Sequence, residues 1–199
     1  MAVRERRERE RAERHGRIVA VARELAEDHG WDAVTTRRLA DRIEYSQPVL
    51  YGHFPGGKDE IVGAVALEGF AELARALRAA VDAAGPDDAV RALAGAYLDF
   101  AAAHPEVYRA MFDLAALPFA RDDTPAPLRE GFEIVRDVLA PHTRDPDRYA
   151  EVGWATLHGL ATLSRAGRLP PEGAPERLAL AVDLLGTNPR MTRRDRTTR

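Results

Sequence analysis

A short polar segment in the first third of the chain carries side chains suited to binding rather than to core packing. Gln47, Tyr51 and His53 are polar or amphipathic, whereas Leu50 alone faces inward in the segment's helical pattern. A surface helix this short is unstable by itself. Neighbouring elements must therefore hold it, and its polar side chains are presented to a partner.

Positive charge flanks the same segment. Between residues 35 and 58 basic side chains outnumber carboxylates, although the formal net charge of the whole chain is −3. The basic residues of this stretch are Arg37, Arg38, Arg42 and Lys58, the last being the single lysine among the 199 residues. Cations at both ends of a presented helix are what clamping of DNA phosphates requires.

Two short helices joined by a tight turn position this segment. Thr35 is a good N-cap for the first helix, which turns the small side chain of Ala40 inward. Ser46 caps the second helix, predicted from Gln47 to Gly52, and Pro48 is tolerated in its first turn. The arrangement matches a helix-turn-helix, whose second helix enters the major groove of DNA.

Three fragments of this region form a recognisable pattern. They are Thr35-x-x-x-Leu39-Ala40, Ser46-Gln47-Pro48-Val49-Leu50-Tyr51-Gly52-His53-Phe54 and Lys58-x-x-Ile61. Together they resemble the DNA-binding signature of the TetR family of transcriptional regulators, over roughly residues 17–65. The resemblance implies a small N-terminal DNA-binding domain followed by an all-helical domain that binds small molecules and forms a two-fold dimer.

The resemblance also implies DNA contacts residue by residue. Gln47 and Val49 would face base edges, where an amide pairs with adenine and valine methyls pack on the thymine methyl. Tyr51 and His53 would contact phosphates or bases, and Lys58 would reach a phosphate. The predicted DNA-binding set is Thr35, Thr36, Arg37, Arg38, Ser46, Gln47, Val49, Tyr51, His53 and Lys58.

The chain departs from the family pattern in the turn and in the second helix. Glu44 stands where the family usually has glycine, so a residue with a Cβ is expected at positive φ, at a cost of about 1 kcal/mol. Pro48 and Val49 replace a common Gly-Thr pair, so the base preference does not transfer. The alternative to a DNA contact for Tyr51 is that it is a core aromatic. For His53 the alternative is that it hydrogen-bonds only within the fold.

Helical periodicity continues to residue 187 without alternating strand patterns, which predicts an all-α fold of about nine helices. We expect an N-terminal three-helix helix-turn-helix domain at residues 1–57, a C-terminal antiparallel helical bundle at 58–187 and a disordered tail at 188–199. Residues 4–17 form a basic N-terminal arm of seven arginines and four glutamates. This arm is either a solvated helix or a segment that lies near phosphates.

Aromatic and flexible side chains recur at helical spacing in the bundle, either as ordinary core or as the lining of a ligand site. His104-Pro105-Glu106-x-Tyr108-x-x-Met111-Phe112 and Trp154-x-x-x-His158-Gly159 resemble the effector domain of the Trp-His-Gly branch of the TetR family. The alternative for His158 is a core histidine bound to a backbone carbonyl. The predicted ligand-binding set is Tyr97, Phe100, Tyr108, Met111, Phe112, Phe132, Trp154 and His158.

The last two predicted helices, 149–166 and 176–185, resemble an interface. The first is rich in small residues that permit close approach, and the second is apolar on more than one face, as expected between a core and a partner. An isologous contact of four helices predicts a C2 homodimer. The predicted interface residues are Tyr149, Gly153, Leu160, Leu178, Val182 and Leu185.

Signals for catalysis are weak. His104/Glu106 and His142/Asp145 are candidate acid–base pairs, but the chain lacks His-Glu-x-x-His, Gly-x-Ser-x-Gly and phosphate-loop motifs. It also has no cysteine, which excludes a thiol nucleophile and a disulfide framework. We therefore expect no catalytic residue, no metal and no cofactor, and a helical-bundle enzyme is the remote alternative.

The longest charge-free runs, 45–57 and 152–164, are 13 residues each, short of the ~20 residues that a membrane helix needs. The N-terminus has no apolar stretch typical of a signal peptide. We expect a cytoplasmic protein without a membrane partner. The predicted function is a ligand-responsive repressor that binds a palindromic double-stranded DNA operator as a homodimer and is released by a small-molecule effector. The alternative is a regulator or activator that needs no small molecule.

Overall fold

The computed structural model describes residues 2–119 and 121–187 of the chain, with side chains from Arg4 onward. These residues form nine α-helices and no strand, which confirms the all-α prediction. The helices are α1 (Ala2–His29), α2 (Thr36–Ile43), α3 (Gln47–His53), α4 (Lys58–Ala84), α5 (Ala89–Ala103), α6 (Pro105–Arg109), α7 (Ala126–Leu139), α8 (Pro146–Arg165) and α9 (Ala174–Gly186). The predicted tail at 188–199 lies outside the described residues.

Short helical segments complete the described chain. They are 3-10 turns at Trp31–Ala33, Ala140–His142 and Pro171–Gly173, and a π-helical segment at Ala110–Leu114 that continues α6. The sequence predicts one helix from Val107 to Leu117, which is wrong at its C-terminal end. Ala115 is already extended, with φ −83° and ψ 125°, and the following Pro118 disfavours helical geometry at Leu117.

The chain divides into two compact units. The first, called the reading unit below, contains the described residues of Met1–Phe70 and His104–Pro125. The second, called the helical body, contains the described residues of Ala71–Ala103 and Ala126–Arg199. The reading unit thus holds α1–α3, the beginning of α4, and α6, whereas the body holds the remainder of α4 with α5 and α7–α9.

The reading unit is built on one apolar face of α1, which packs against α2 and α6. Ile18, Ala22 and Leu25 lie at helical spacing and are almost completely buried. α1 ends at His29 because Gly30 adopts φ 76°, a left-handed conformation that favours glycine. The buried ring of Trp31 follows directly.

Polar bonds join α1 to the first turn of α6. The carboxylate of Glu27 accepts hydrogen bonds from the backbone N–H groups of Glu106, at 3.2 Å, and Val107, at 3.0 Å. These are donors that a helix start leaves without intrahelical partners. The indole of Trp31 donates to the Glu106 carbonyl at 2.8 Å. These bonds hold α6 within the reading unit, although α6 lies far from α1 in sequence.

The helical body is held by close apolar packing. α5 packs against α7, α8 and α9, and α7 packs against α8. A Cβ placed on Gly153 of α8 would lie 2.5 Å from Cδ1 of Leu139 and 3.5 Å from Cδ2 of Leu185. Both leucines are buried. The absent side chain at Gly153 therefore permits α8 to approach the leucines of α7 and α9.

Candidate nucleic-acid interface

The first helix of the predicted helix-turn-helix starts with the expected cap. The hydroxyl oxygen of Thr35 accepts a hydrogen bond from the backbone N–H of Arg38 at 3.2 Å. The guanidinium of Arg38 donates to the carbonyl of Ala33, also at 3.2 Å. Leu39 and Ala40 are buried, as predicted. α2 is therefore fixed at its start and along its inner face.

The turn between α2 and α3 requires a left-handed residue, and Glu44 adopts that conformation. Its φ is 58° and its ψ is 35°, which confirms the expectation of positive φ at a residue with a Cβ. The conformation costs roughly 1–2 kcal/mol for an L-residue. It closes the turn through a hydrogen bond from the Tyr45 N–H to the Ala40 carbonyl at 3.0 Å.

α3 presents one face outward and buries the other. Leu50 is 1% exposed, as is Phe54 after the helix. Val49 is 37% exposed and Tyr51 47% exposed, and Gln47 is exposed as well. α3 thus exposes an amide, a valine and a phenol to solvent while a leucine anchors it, and Tyr51 is not a core aromatic.

The start of α3 is simpler than the sequence suggests. Ser46 occupies the N-cap position with extended backbone, but its side chain makes no capping hydrogen bond. Pro48 lies in the first turn, where it removes a backbone donor that has no intrahelical partner. The exposed hydroxyl of Ser46 remains among the predicted DNA contacts, together with exposed Arg37 and Arg38 of α2. Thr36, another predicted contact, is half-buried.

Lys58 has a contact that the sequence does not predict. It is half-buried at the start of α4, and its ammonium donates to the carbonyl of Trp31 at 2.5 Å. Because an ammonium carries three donors, this bond leaves capacity for a phosphate oxygen. The bond also ties the start of α4 to the residue that follows α1.

The C-terminal end of α3 lies beside α1. The guanidinium of Arg11 donates to the carbonyl of Gly52 at 3.2 Å, and the ring of His15 stacks on Phe54 with centroids 4.4 Å apart. Burial lowers the pKa of His53 below its usual 6.5, and the charges of Arg11, Arg14 and His15 lower it further. Sequence reasoning missed Arg11 and His15, although their four-residue spacing in line with an apolar residue of α1 is a usable signal.

The predicted ligand residues fall in both units. In the helical body the indole of Trp154 donates to the hydroxyl of Tyr97 at 3.0 Å, and Trp154 meets Phe132 edge-to-face at 6.3 Å. His158 lies 3.5 Å from the hydroxyl of Thr162, one helical turn away. Phe100 is buried in the same unit. Five of the predicted residues therefore belong to the body.

The other three predicted ligand residues belong to the reading unit. Phe112 packs against Tyr108, at 4.6 Å between ring centroids, and against Phe70, at 5.2 Å. A Cβ on Gly69 would approach the sulfur of Met111 to 2.8 Å. These aromatic and methionine side chains thus pack closely against α4.

Of the six predicted interface residues on α8 and α9, two are buried and four are half-buried. Gly153 and Leu185 are buried, and the hydroxyl of Tyr149 donates to the carbonyls of Leu184 and Leu185 at 3.2 Å each. Leu160, Leu178 and Val182 are half-buried. The exposed apolar side chains of these helices are instead Val152, Leu163, Leu180 and Leu184.

Within the described ranges no group of three or more His, Cys, Asp or Glu residues is arranged to hold a metal ion. No helix in the same part of the chain is long and apolar enough to cross a membrane.

Two family models match the chain, one on each side of residue 70. The family described as "Bacterial regulatory proteins, tetR family" matches residues 18–65, and "Tetracyclin repressor-like, C-terminal domain" matches residues 90–185. An uncharacterized HTH-type transcriptional regulator of Mycobacterium tuberculosis is 30% identical over 155 residues, which cover 75% of this chain and 69% of the relative.

Solved structures have the same fold. A protein of unknown function from Rhodococcus sp. RHA1 is 30% identical with a TM-score of 0.70, and the match covers 86% of this chain and 92% of that one. A TetR variant from Acinetobacter baumannii AYE, solved in complex with minocycline, is 20% identical with a TM-score of 0.61. That match covers 84% of this chain and 91% of the other.

Proposed function

This chain belongs to the tetR family of bacterial regulatory proteins and is a DNA-binding transcriptional regulator rather than an enzyme. From this premise we propose that it is a cytoplasmic repressor with a palindromic operator. It binds this operator as a homodimer and leaves it when a small molecule binds the helical body. The observation that carries the proposal is the exposed face of α3, where Gln47, Val49 and Tyr51 project from a helix anchored by Leu50.

The chemistry of this face suits base recognition in the major groove. The amide of Gln47 pairs with adenine through two hydrogen bonds, and the methyl groups of Val49 pack against a thymine methyl. The phenol of Tyr51 donates to a phosphate oxygen, and so do Arg37 and Arg38. The base contacts set the sequence preference, and the phosphate contacts hold the helix in register.

The outer faces of α8 and α9 support the proposed homodimer. Leu180 is 68% exposed, Leu184 62% and Val152 58%, and a second copy covers these side chains by isologous packing. Gly159 of α8 has no atom within 4 Å of the position that a Cβ would occupy, so a partner helix can approach closely there. Two copies present two α3 helices about one turn of DNA apart, roughly 34 Å, which requires a palindrome.

The effector is a small molecule with aromatic or apolar groups, held by the aromatic residues of the body. Trp154 contacts both Tyr97 and Phe132 there, and His158 offers a polar contact. The TetR variant of similar fold that was solved in complex with minocycline supports a small-molecule effector. A coupling of about 1–3 kcal/mol between the two sites is enough to release DNA.

Selection of genomic fragments by the purified protein tests the proposal. We expect a palindrome whose half-sites lie about one turn apart, and each of Gln47→Ala and Tyr51→Ala then weakens operator binding by about 5- to 150-fold. Leu114→Ala, at an exposed residue outside both helices, is the matched control and leaves affinity unchanged. Unchanged binding by both α3 variants would overturn the assignment of α3 as the recognition helix.

A library of small molecules tests the second half of the proposal. A true effector raises the thermal midpoint of the protein and lowers its affinity for the selected operator. If no compound does both, the regulator acts without a small-molecule effector.

A further inference from the structure

The exposed beginning of α1 separates its charges by face. With 3.6 residues per turn, four arginines fall within a strip of the helix about 80° wide. This strip, called the basic stripe below, consists of Arg4, Arg7, Arg11 and Arg14. Glu5 and Glu13 lie on the remaining circumference. Glu8 and Glu10 border the stripe on its two sides and pair with Arg4 at 2.9 Å and with Arg6 at 3.4 Å. The stripe itself therefore carries four cations and no carboxylate.

The stripe lies in line with the contacts that α1 makes to the end of α3. Arg11, a member of the stripe, donates to the Gly52 carbonyl, and His15 one turn later stacks on Phe54. The rise of 1.5 Å per residue places Arg7 about 6 Å and Arg4 about 10 Å from Arg11 along the helix axis. The stripe thus continues the surface of the recognition helix beyond its C-terminal end.

This part of α1 has no apolar face to bury. Residues 4–15 are all exposed, and the side chain of Arg4 is 87% exposed. A helix that is polar all round gains little from packing. The segment also has too few apolar atoms to bind a membrane surface as an amphipathic helix, because such a helix needs a large apolar face. What the segment offers a partner is positive charge in a row.

We propose that the basic stripe is a second DNA-binding element, in which Arg4 and Arg7 bind phosphates of the duplex beside the groove that α3 enters. The proposal rests on the proposed function, since α3 must bring α1 to the DNA. Charge complementarity and continuity with the face of α3 select the same duplex as the partner. These contacts are independent of sequence and extend the footprint of each protomer.

The test compares two double variants that remove the same charge from the same helix. Arg4→Gln with Arg7→Gln changes the stripe, and Arg6→Gln with Arg9→Gln changes the opposite side. Each pair includes one ion-paired arginine, since Arg4 pairs with Glu8 at 2.9 Å and Arg6 with Glu10 at 3.4 Å. Neither pair touches the Arg11 contact to α3. Far-UV circular dichroism confirms that both variants remain helical.

The readout is the dependence of binding on salt, measured on the selected operator duplex and on a scrambled duplex of equal length. Loss of two phosphate contacts reduces the slope of log K against log salt by about 1.8 per protomer. Between about 50 and 200 mM salt, the wild type then loses about tenfold more affinity per protomer than R4Q/R7Q. R6Q/R9Q should keep the wild-type slope on both duplexes.

Equal slopes for both double variants would overturn the proposal, whether both match the wild type or both are reduced. This outcome is distinguishable from failure of the proposed function. If the proposed function fails, the wild type enriches no palindrome, and the variants of α3 do not alter affinity. If the two double variants have equal slopes while the selection of genomic fragments yields a palindrome, α3 remains the DNA contact and α1 only supports it.

Discussion

Exposed apolar side chains occur in both units, but their surroundings differ. In the reading unit, Val49 and Tyr51 are 37% and 47% exposed on α3, which also exposes Gln47, and α2 exposes Arg37 and Arg38. In the helical body, Leu180 and Leu184 are 68% and 62% exposed, at a spacing that places them on one face of α9. A mixed polar and cationic surface suits DNA, whereas a pair of strongly exposed leucines suits burial against a second copy of the chain.

The two units also differ in how their elements are joined. In the reading unit, charge-assisted and indole hydrogen bonds tie α6 to α1 through Glu27 and Trp31. In the body, the close approach of Leu139 and Leu185 to Gly153 joins three helices, and polar contacts add to this packing. The hydroxyl of Tyr149 bonds to carbonyls of α9, and Arg136 of α7 pairs with Asp147 of α8. Removing the charge of Glu27 should therefore weaken the reading unit, and adding charges should disrupt the body's outer face.

The largest effect is expected at the outer face of α9. Leu180→Glu with Leu184→Glu places two charges from each protomer in the proposed interface. At about 2 kcal/mol for each substitution, summed over both protomers, the dimer dissociation constant rises roughly a thousandfold. Sedimentation equilibrium measures the change. The control is Leu114→Glu, the same substitution at an exposed leucine of the reading unit. An unchanged dimer in the double variant would remove α9 from the interface and break the comparison.

A smaller effect is expected where Glu27 holds the start of α6. Glu27→Gln keeps one acceptor but loses the charge on two hydrogen bonds, so the free energy of unfolding falls by about 1–2 kcal/mol. Urea denaturation followed by circular dichroism measures the loss. The control is Glu24→Gln on the same helix, where the side chain is exposed. Equal stability of the two variants would show that the carboxylate does not hold α6.

The smallest effect concerns His53. Because burial, and then Arg11, Arg14 and His15, lower its pKa below 6.5, the folded protein binds this proton more weakly than the unfolded chain does. Folding stability should therefore be complete above pH 6.5 and fall as the pH drops below that value. An NMR titration should give a midpoint below 6.5 that moves upward in Arg11→Gln and stays in place in Arg17→Gln. If the titration midpoint of His53 is the same in Arg11→Gln as in the wild type, the contact between α1 and the end of α3 is contradicted.

Local patterns predicted α2, α3 and the turn between them well. The Thr35 cap, the buried Ala40 and Leu50, and the positive φ at Glu44 all follow from short-range rules and are present in the structure. The capping bond of Ser46 is absent. The interaction of Arg11 with α3 was not predicted, because it joins residues 41 positions apart.

The body was predicted less completely. A helix that is apolar on several faces does not reveal which face is buried, so Leu185 was assigned to the interface although it is 1% exposed within the chain. Leu180 and Leu184, the exposed leucines of the same helix, were left out of that assignment. The interface on α8 and α9 stays a prediction, and only the tertiary structure distinguishes the outward side chains of these helices from the inward ones.

The sequence by itself determined the all-helical fold, the helix-turn-helix and the identity of its exposed side chains, because caps, turns and helical periodicity act over a few residues. Only the tertiary structure decided that α6 joins the reading unit, that Arg11 reaches Gly52 and that Leu180 and Leu184 face outward. These features depend on packing between residues far apart in the chain, and no local preference encodes which of several apolar faces is buried.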